Sequence, residues 1–397
     1  MSLTKKNIGL LVGAILFMFA TANIISYFAI MRFVGVSIYS GIPYAEAKDK
    51  FSKKSAEGFA GQHFIHPFFG TANANWKMYE NKLSPEPLFH HISPLIGNEH
   101  VKVLVVGGSV AAHLSAGGLP GVEESLFARV LNQHFKTNKF VVYNAAFGGG
   151  KQPQQYFKYL YLDLLGFKPD VVINLDGLNE IALTLIENKQ LGNPAIFPRQ
   201  FSQAVNVIAT DRSCAKLNNR LLDVDSKIPL IEFGVWAYVK NCHYKITGYD
   251  TKSWWLDAMH IDEKTDYLNQ AIAVWRESSN RLQEVLSTKH IDYIHVLQAN
   301  QYLGGSKEFT DEEKRVALNS QNWAAAIGEN YSLLDKSGLS NKHFMDQRFL
   351  FKNVKETVYA DSCCHFNQKG MSIIVGDIID NNESIFQKAL RRVEVRK

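Results

Sequence analysis

Apolar residues in this chain follow two patterns. The first is one long run, from Ile8 to about Met31 with a weak extension to Val36, in which Thr21, Asn23 and Ser26 are the polar interruptions. No charge appears before Arg32, and Lys5 and Lys6 precede the run. About 20 apolar residues span a bilayer as a helix, so residues 1–36 are expected to be a membrane anchor. The basic head favours an amino terminus inside and the bulk of the chain outside. Lys48, Lys50, Lys53 and Lys54 dilute that bias. Ala20-Thr21-Ala22 has the small-residue form of a signal-peptide cleavage site. Apolar residues continue past it through Ile24, Ile25, Tyr27, Phe28 and Ile30, which favours an uncleaved anchor.

The second pattern begins at Val101. Val101-Lys102-Val103-Leu104-Val105-Val106 is a short, nearly continuous apolar run that ends in Gly107-Gly108-Ser109, the form of a buried parallel strand with a turn at its carboxyl end. Three similar runs follow at 140–144, 170–175 and 291–297, and a shorter one lies near His343–Met345. Between them the apolar spacing is helical, at about 110–126, 152–165 and 264–288. Thr310-Asp311-Glu312-Glu313 opens another helix as a capping box, and a terminal helix starts near Gln368. Strands that alternate with helices predict a parallel sheet with right-handed crossovers. The fold class is therefore α/β: a three-layer α/β/α sandwich with a mainly parallel five-stranded sheet, plus the amino-terminal transmembrane helix.

Two stretches break the rhythm. Residues 37–98 read as an irregular lead-in packed on the domain, because Pro43, Pro67, Pro85, Pro87 and Pro94 interrupt any long element while aromatics such as Phe64 and Trp76 recur. Residues 190–263 read as an insertion in the domain of residues 99–397. It holds Trp236, Trp254 and Trp255, which would stack on sugar rings if the insertion caps a site and would otherwise pack within it.

Composition adds exclusions. The 397 residues are 46% hydrophobic and 20% charged, an ordinary globular balance. The net charge of +5 comes from scattered Lys and Arg, with no basic stripe, so no nucleic acid partner is expected. Four cysteines are too few for a disulfide scaffold. Cys214 and Cys242 are free to pair if the domain lies outside the cytoplasm. Cys363 and Cys364 read as buried, inert thiols, since adjacent side chains project apart. No His, Cys and carboxylate group has metal-ligand spacing, and no metal or cofactor is expected.

The chemistry collects at strand ends. Parallel strands point their carboxyl ends to one edge, so Ser109, the Gly148–Gly150 turn and Asn179 meet there. Acyl transfer needs a nucleophile, a base, a group that orients the base, and oxyanion donors. Ser109, His365 and Asp361 can fill the first three roles. The backbone N–H groups of Ser109 and Gly149 and the side chain of Asn179 can fill the last. The plainer alternative is that Ser109 only caps the next helix. A second Gly-Gly-Ser, Gly304-Gly305-Ser306, is a rival nucleophile turn, although it leads into a loop.

In these residues the chain resembles the SGNH (GDSL-type) hydrolases, whose four sequence blocks supply Ser, Gly, Asn and His. The Ser block is Gly107-Gly108-Ser109, with Gly108 where the family name has Asp. The Gly block is Asn144-Ala145-Ala146-Phe147-Gly148-Gly149, with Gly149 five residues after Asn144. The Asn block, usually Gly-x-Asn-Asp, is Gly177-Leu178-Asn179-Glu180. In the His block Asp361 lies four residues before His365 instead of the usual three, and Ser362 holds the usual position. The family tolerates loss of this Asp, because a backbone carbonyl can orient the His. The stretches Lys151-Gln152-Pro153-Gln154-Gln155, Asp176-Gly177-Leu178-Asn179-Glu180 and Leu297-Gln298-Ala299-Asn300-Gln301-Tyr302 are similar to a membrane-anchored, envelope-associated bacterial branch. That likeness implies a flavodoxin-like sheet and a serine esterase or deacetylase acting on an acylated envelope glycan or a small ester. Two other readings stay open: an O-acetyltransferase using the same site, and a non-catalytic binding subunit that keeps the fold.

Overall fold

The computed structural model describes residues 5–33, 63–66, 70–73, 98–115, 125–190, 192–199, 266–318 and 321–396. The expected insertion beyond residue 199, with its tryptophans and with Cys214 and Cys242, lies outside the described residues. The chain divides into two compact units, residues 1–62 with 202–251, and residues 63–201 with 252–397.

In the first unit the described element is α1, Lys5–Phe33. It runs unbroken through Ala20-Thr21-Ala22. Its segment Val12–Ala29 is long and apolar enough to cross a membrane, and Phe17, Met18, Ile24 and Ile25 are exposed along it.

The second unit opens with a hairpin that the sequence reading missed. Strands β1 (His63–His66) and β2 (Gly70–Asn73) pair antiparallel inside the stretch expected to be irregular. With four residues each, they are too short to show an alternation.

The main sheet contains β3 (Val101–Gly107), β4 (Phe140–Asn144), β5 (Val171–Asp176), β6 (Asp292–Leu297) and β7 (Phe344–Asp346). Their order is β4-β3-β5-β6-β7, and every neighbouring pair is parallel. This is the flavodoxin-type doubly wound order, whose switch point lies where the chain reverses direction across β3. β3 serves both faces of the sheet. Val101, Val103 and Val105 enter one core, whereas Leu104 and Val106 enter the other, as the period of two demands. Each such buried aliphatic side chain contributes about 1.5–3 kcal/mol by leaving water.

Helices cover both faces. The first core takes α2 (Ser109–Ser115), α3 (Leu126–His134), α9 (Gln368–Asn381) and α10 (Glu383–Val395). The second takes α4 (Gln154–Leu164), through Tyr159 and Leu162. α6 (Tyr267–Thr288) contributes to both, with Trp275 in the first and Leu282 and Leu286 in the second. The shorter helices are α5 (Leu178–Leu183), which continues as a π-helical turn over Thr184–Asn188, α7 (Asp311–Val316) and α8 (Gln321–Ile327).

Within the segment read as a helix at 110–126, the described residues are α2 and the start of α3, where Ser125 caps α3 by accepting from Ala128 N at 3.1 Å. One helix expectation needs correction: the terminal helix is two helices, parted at Asn382, whose side chain turns back to the Ile378 carbonyl at 2.9 Å. The capping box of α7 is present, with Thr310 N donating to Glu313 Oε2 at 3.0 Å and Glu313 N to Thr310 Oγ1 at 3.2 Å.

Candidate active site

Ser109 is the first residue of α2, immediately after β3. Ala112 N reaches back to the Gly108 carbonyl at 3.0 Å, so Gly108 takes the cap position and the Ser109 hydroxyl is left free for another partner. That partner is His365, whose Nε2 lies 2.8 Å from Ser109 Oγ. The other ring nitrogen, Nδ1, lies 2.5 Å from Asp361 Oδ2. A carboxylate at Nδ1 selects the tautomer that carries its proton there and turns a lone pair on Nε2 toward the serine.

The longer Asp361–His365 spacing is accommodated by the loop itself. Asp361 Oδ1 accepts from the backbone N–H groups of Cys363, Cys364 and His365 at 2.9, 3.1 and 3.2 Å, which curls the loop around the carboxylate. Burial works to raise the Asp361 pKa. The hydrogen bond and charge of His365, with the backbone donors, outweigh burial and hold the carboxyl below its ordinary range. The loop is clasped from outside by Gln301 Nε2, which donates to the Asp361 carbonyl at 3.1 Å, and by the Tyr302 hydroxyl, which donates to the Ser362 carbonyl.

The turn after β4 closes with Gly150 N donating to the Phe147 carbonyl at 3.0 Å. Gly149 occupies it at φ +75°, where a side chain is strained. Asn179, at the start of α5, donates from Nδ2 to the Gly150 carbonyl at 2.8 Å, so the Gly and Asn blocks are tied together. Its amide packs directly on Gly108. A Cβ at position 108 would stand 2.3 Å from Asn179 Nδ2. A glycine at 108 therefore leaves room that the Asn179 amide uses.

Glu180 holds the frame beneath. Its Oε1 accepts from Gln152 N and its Oε2 from Gly177 N, both at 2.9 Å. Burial, then the charge of Asp176, pushes this carboxyl up to about 8 against the pull of those N–H groups.

Two neighbours were missed from sequence. The ring of His113, on α2, lies 4.8 Å from that of His365. Partial burial and then the charge of His365 lower its pKa. Its position one helical turn after Ser109 was the available signal. Arg199 lies along Gly149, its Cδ 2.6 Å from where a Cβ there would be, and nothing local in the sequence marks it.

The thiols differ from expectation. Cys363 and Cys364 do not project apart, because the curled loop brings their Sγ atoms to 2.9 Å. Cys364 is buried and meets the Ser109 hydroxyl. The rival Ser306 is buried in the turn closed by Ser306 N and the Leu303 carbonyl, and among the described residues its hydroxyl has no hydrogen-bond partner.

A second Ser-His-Asp relay lies inside the core. His295 Nε2 meets Asp176 Oδ1 at 2.9 Å and its Nδ1 meets Ser279 Oγ at 2.8 Å. Trp275 Nε1 donates to Asp176 Oδ1 at 2.8 Å and Asn174 Nδ2 to Oδ2 at 2.7 Å. These bonds engage the Asp176 carboxylate and the Asn174 Nδ2 that interrupt β5, and among the described residues Asn174 Oδ1 has no hydrogen-bond partner.

Fold and site together define a doubly wound α/β protein with a Ser-His-Asp relay at the carboxyl edge of its parallel sheet. No family model and no curated protein matches the chain. A solved structure, LAE5, an alpha/beta hydrolase enzyme from the metagenome of Lake Arreo in Spain, is similar at 13% identity with a TM-score of 0.32, over 73% of this chain and 99% of that one. A likeness at that score and identity carries no weight for fold or function.

Proposed function

We propose that this chain is a membrane-anchored serine esterase or deacetylase that works through an acyl-Ser109 intermediate. The observation that carries the proposal is the 2.8 Å approach of His365 Nε2 to Ser109 Oγ, backed by Asp361 on the far side of the ring. Ser109 Oγ attacks the ester carbonyl as His365 Nε2 takes its proton. Asp361, ionised, stabilises the imidazolium and fixes its orientation. The N–H groups of Ser109 and Gly149 and the Asn179 amide hold the oxyanion. His365 then returns the proton to the departing alcohol, and water, activated by the same ring, releases the acid.

The substrate proposed is an acyl group on a cell-envelope glycan or a small ester. α1 supports an anchor, and Lys5 and Lys6 before it favour a site on the extracytoplasmic, periplasmic side. The SGNH likeness of the four blocks supports the ester class.

The test uses the full-length chain in detergent with an activated acetate ester and a fluorophosphonate probe. Turnover and labelling that both vanish in Ser109→Ala are the expected result. Labelling without turnover points to an acetyltransferase lacking its acceptor. A folded protein with neither signal overturns the catalytic reading in favour of a binding subunit.

A further inference from the structure

We propose that Cys363, Cys364 and His365 form a binding site for a soft divalent ion of the Zn²⁺ class, and that its occupancy removes the imidazole from Ser109. One Sγ from each cysteine and a ring nitrogen of His365 all lie within 4.8 Å of one another. Around a tetrahedral ion with bonds of about 2.3 Å to sulfur and about 2.0 Å to nitrogen, such donors stand about 3.5–3.8 Å apart. The sulfurs would open from 2.9 Å, and the ring nitrogen would draw in from as much as 4.8 Å.

The loop prepares the site. Three consecutive residues seldom aim their donors at one point. Here the backbone N–H groups of all three converge on Asp361 Oδ1, and that curl turns both sulfurs to the same side as the ring. Gln301 and Tyr302 hold the loop in this form. Cys364 is buried, whereas Cys363 and His365 are half-buried, so an ion can enter from the Cys363 side.

The chemistry selects the ligand. Thiolate and imidazole favour zinc-class ions over magnesium or calcium. Binding replaces two S–H protons, which go to solvent, so two thiolates and a neutral imidazole leave a neutral complex with no net buried charge. A ring that gives its lone pair to an ion has none for the Ser109 proton, whichever nitrogen is used. The loss of activity on binding rests on the esterase reading; the binding itself does not.

The test reduces the full-length chain with a phosphine and titrates it with Co²⁺, reading the thiolate-to-metal charge-transfer band, with Zn²⁺ as competitor. One ion per chain is expected. Cys363→Ser and Cys364→Ser each should weaken it roughly 100-fold or more, beyond the cost of losing a supporting partner. Ser109→Ala should bind as the parent does. Ester turnover by Cys363→Ser should be indifferent to Zn²⁺ concentrations that halve parent turnover. Absence of the band, or a band that survives both cysteine substitutions, overturns the site. A band that behaves as expected in a chain without esterase activity leaves the site standing and sinks the esterase reading alone.

Discussion

The two Ser-His-Asp relays use the same residue types at nearly the same distances, 2.8 and 2.5 Å around His365 and 2.8 and 2.9 Å around His295. Surroundings separate them. The side chains of His365 and Asp361 retain 23% and 45% of their exposure, whereas those of His295 and Asp176 retain none. In the inner relay every partner is already engaged. Ser279 meets Tyr293 as well as His295, and Asp176 also takes Trp275 and Asn174. A buried polar network stabilises through its pairings, and in this one Asn174 Oδ1 is left without a partner among the described residues. At the sheet edge Ser109, His365 and Asp361 are only half-buried, and the Asn179 amide packs on Gly108 next to the serine. Relay geometry alone is therefore insufficient to define a catalytic group; access to solvent also separates the two.

The sharpest break of this comparison exchanges the serines. Ser109→Ala should lower ester turnover by about 10⁴-fold or more. If Ser279→Ala did the same while Ser109→Ala remained active, the assignment of roles would be reversed. Asp361→Asn comes next. It keeps the shape but disturbs the tautomer, and a loss of up to about 10⁴-fold in kcat is expected, with KM little changed. Its pH dependence has a definite sign. The Asp361 carboxyl is held low, so the support it gives persists through the ordinary carboxylate range and is lost as pH falls through the depressed value.

Gly108→Ala probes the donors instead of the relay. The new methyl group displaces Asn179, and the loss of one oxyanion donor lowers kcat about 10²–10³-fold. A variant with normal kcat would remove Asn179 from the oxyanion site. Ser279→Ala should leave turnover within a few-fold and cost about 1–3 kcal/mol in denaturant unfolding, because His295 Nδ1 loses its buried partner. The last effect is a slope with pH. With Glu180 raised to about 8, the folded chain binds more protons than the unfolded one from the ordinary carboxylate range up to that value. Stability therefore falls as pH rises through this window, and Glu180→Gln should flatten the fall. An unchanged slope in the variant would assign it to another group.

The pattern made much of this legible. The valine-rich run at 101–106, interrupted by Lys102 alone, marks a central strand because burial on both faces leaves almost no polar positions to alternate. Gly107-Gly108-Ser109 marks its turn because the chain must reverse where the strand meets its helix. The hairpin at 63–73 was illegible, since strands of four residues carry too little period to stand out. His113 was legible in principle from its spacing to Ser109, and Arg199 was not, because its place beside Gly149 depends on a long-range approach.

What the sequence determined by itself is local. Periodicity set the five parallel strands, the helices on both faces and the membrane-length apolar helix, since each depends on side chains within a few residues. The four blocks named Ser109, Gly149, Asn179 and His365 as candidates. Only the tertiary structure decided what those residues touch. It closed Asp361 onto His365 despite the extra residue between them, because the carboxylate gathers three backbone N–H groups and shortens the loop. It turned two neighbouring thiols toward each other by the same curl. It also gave one histidine a serine at the surface and another a serine in the core, a difference of burial that no spacing along the chain encodes.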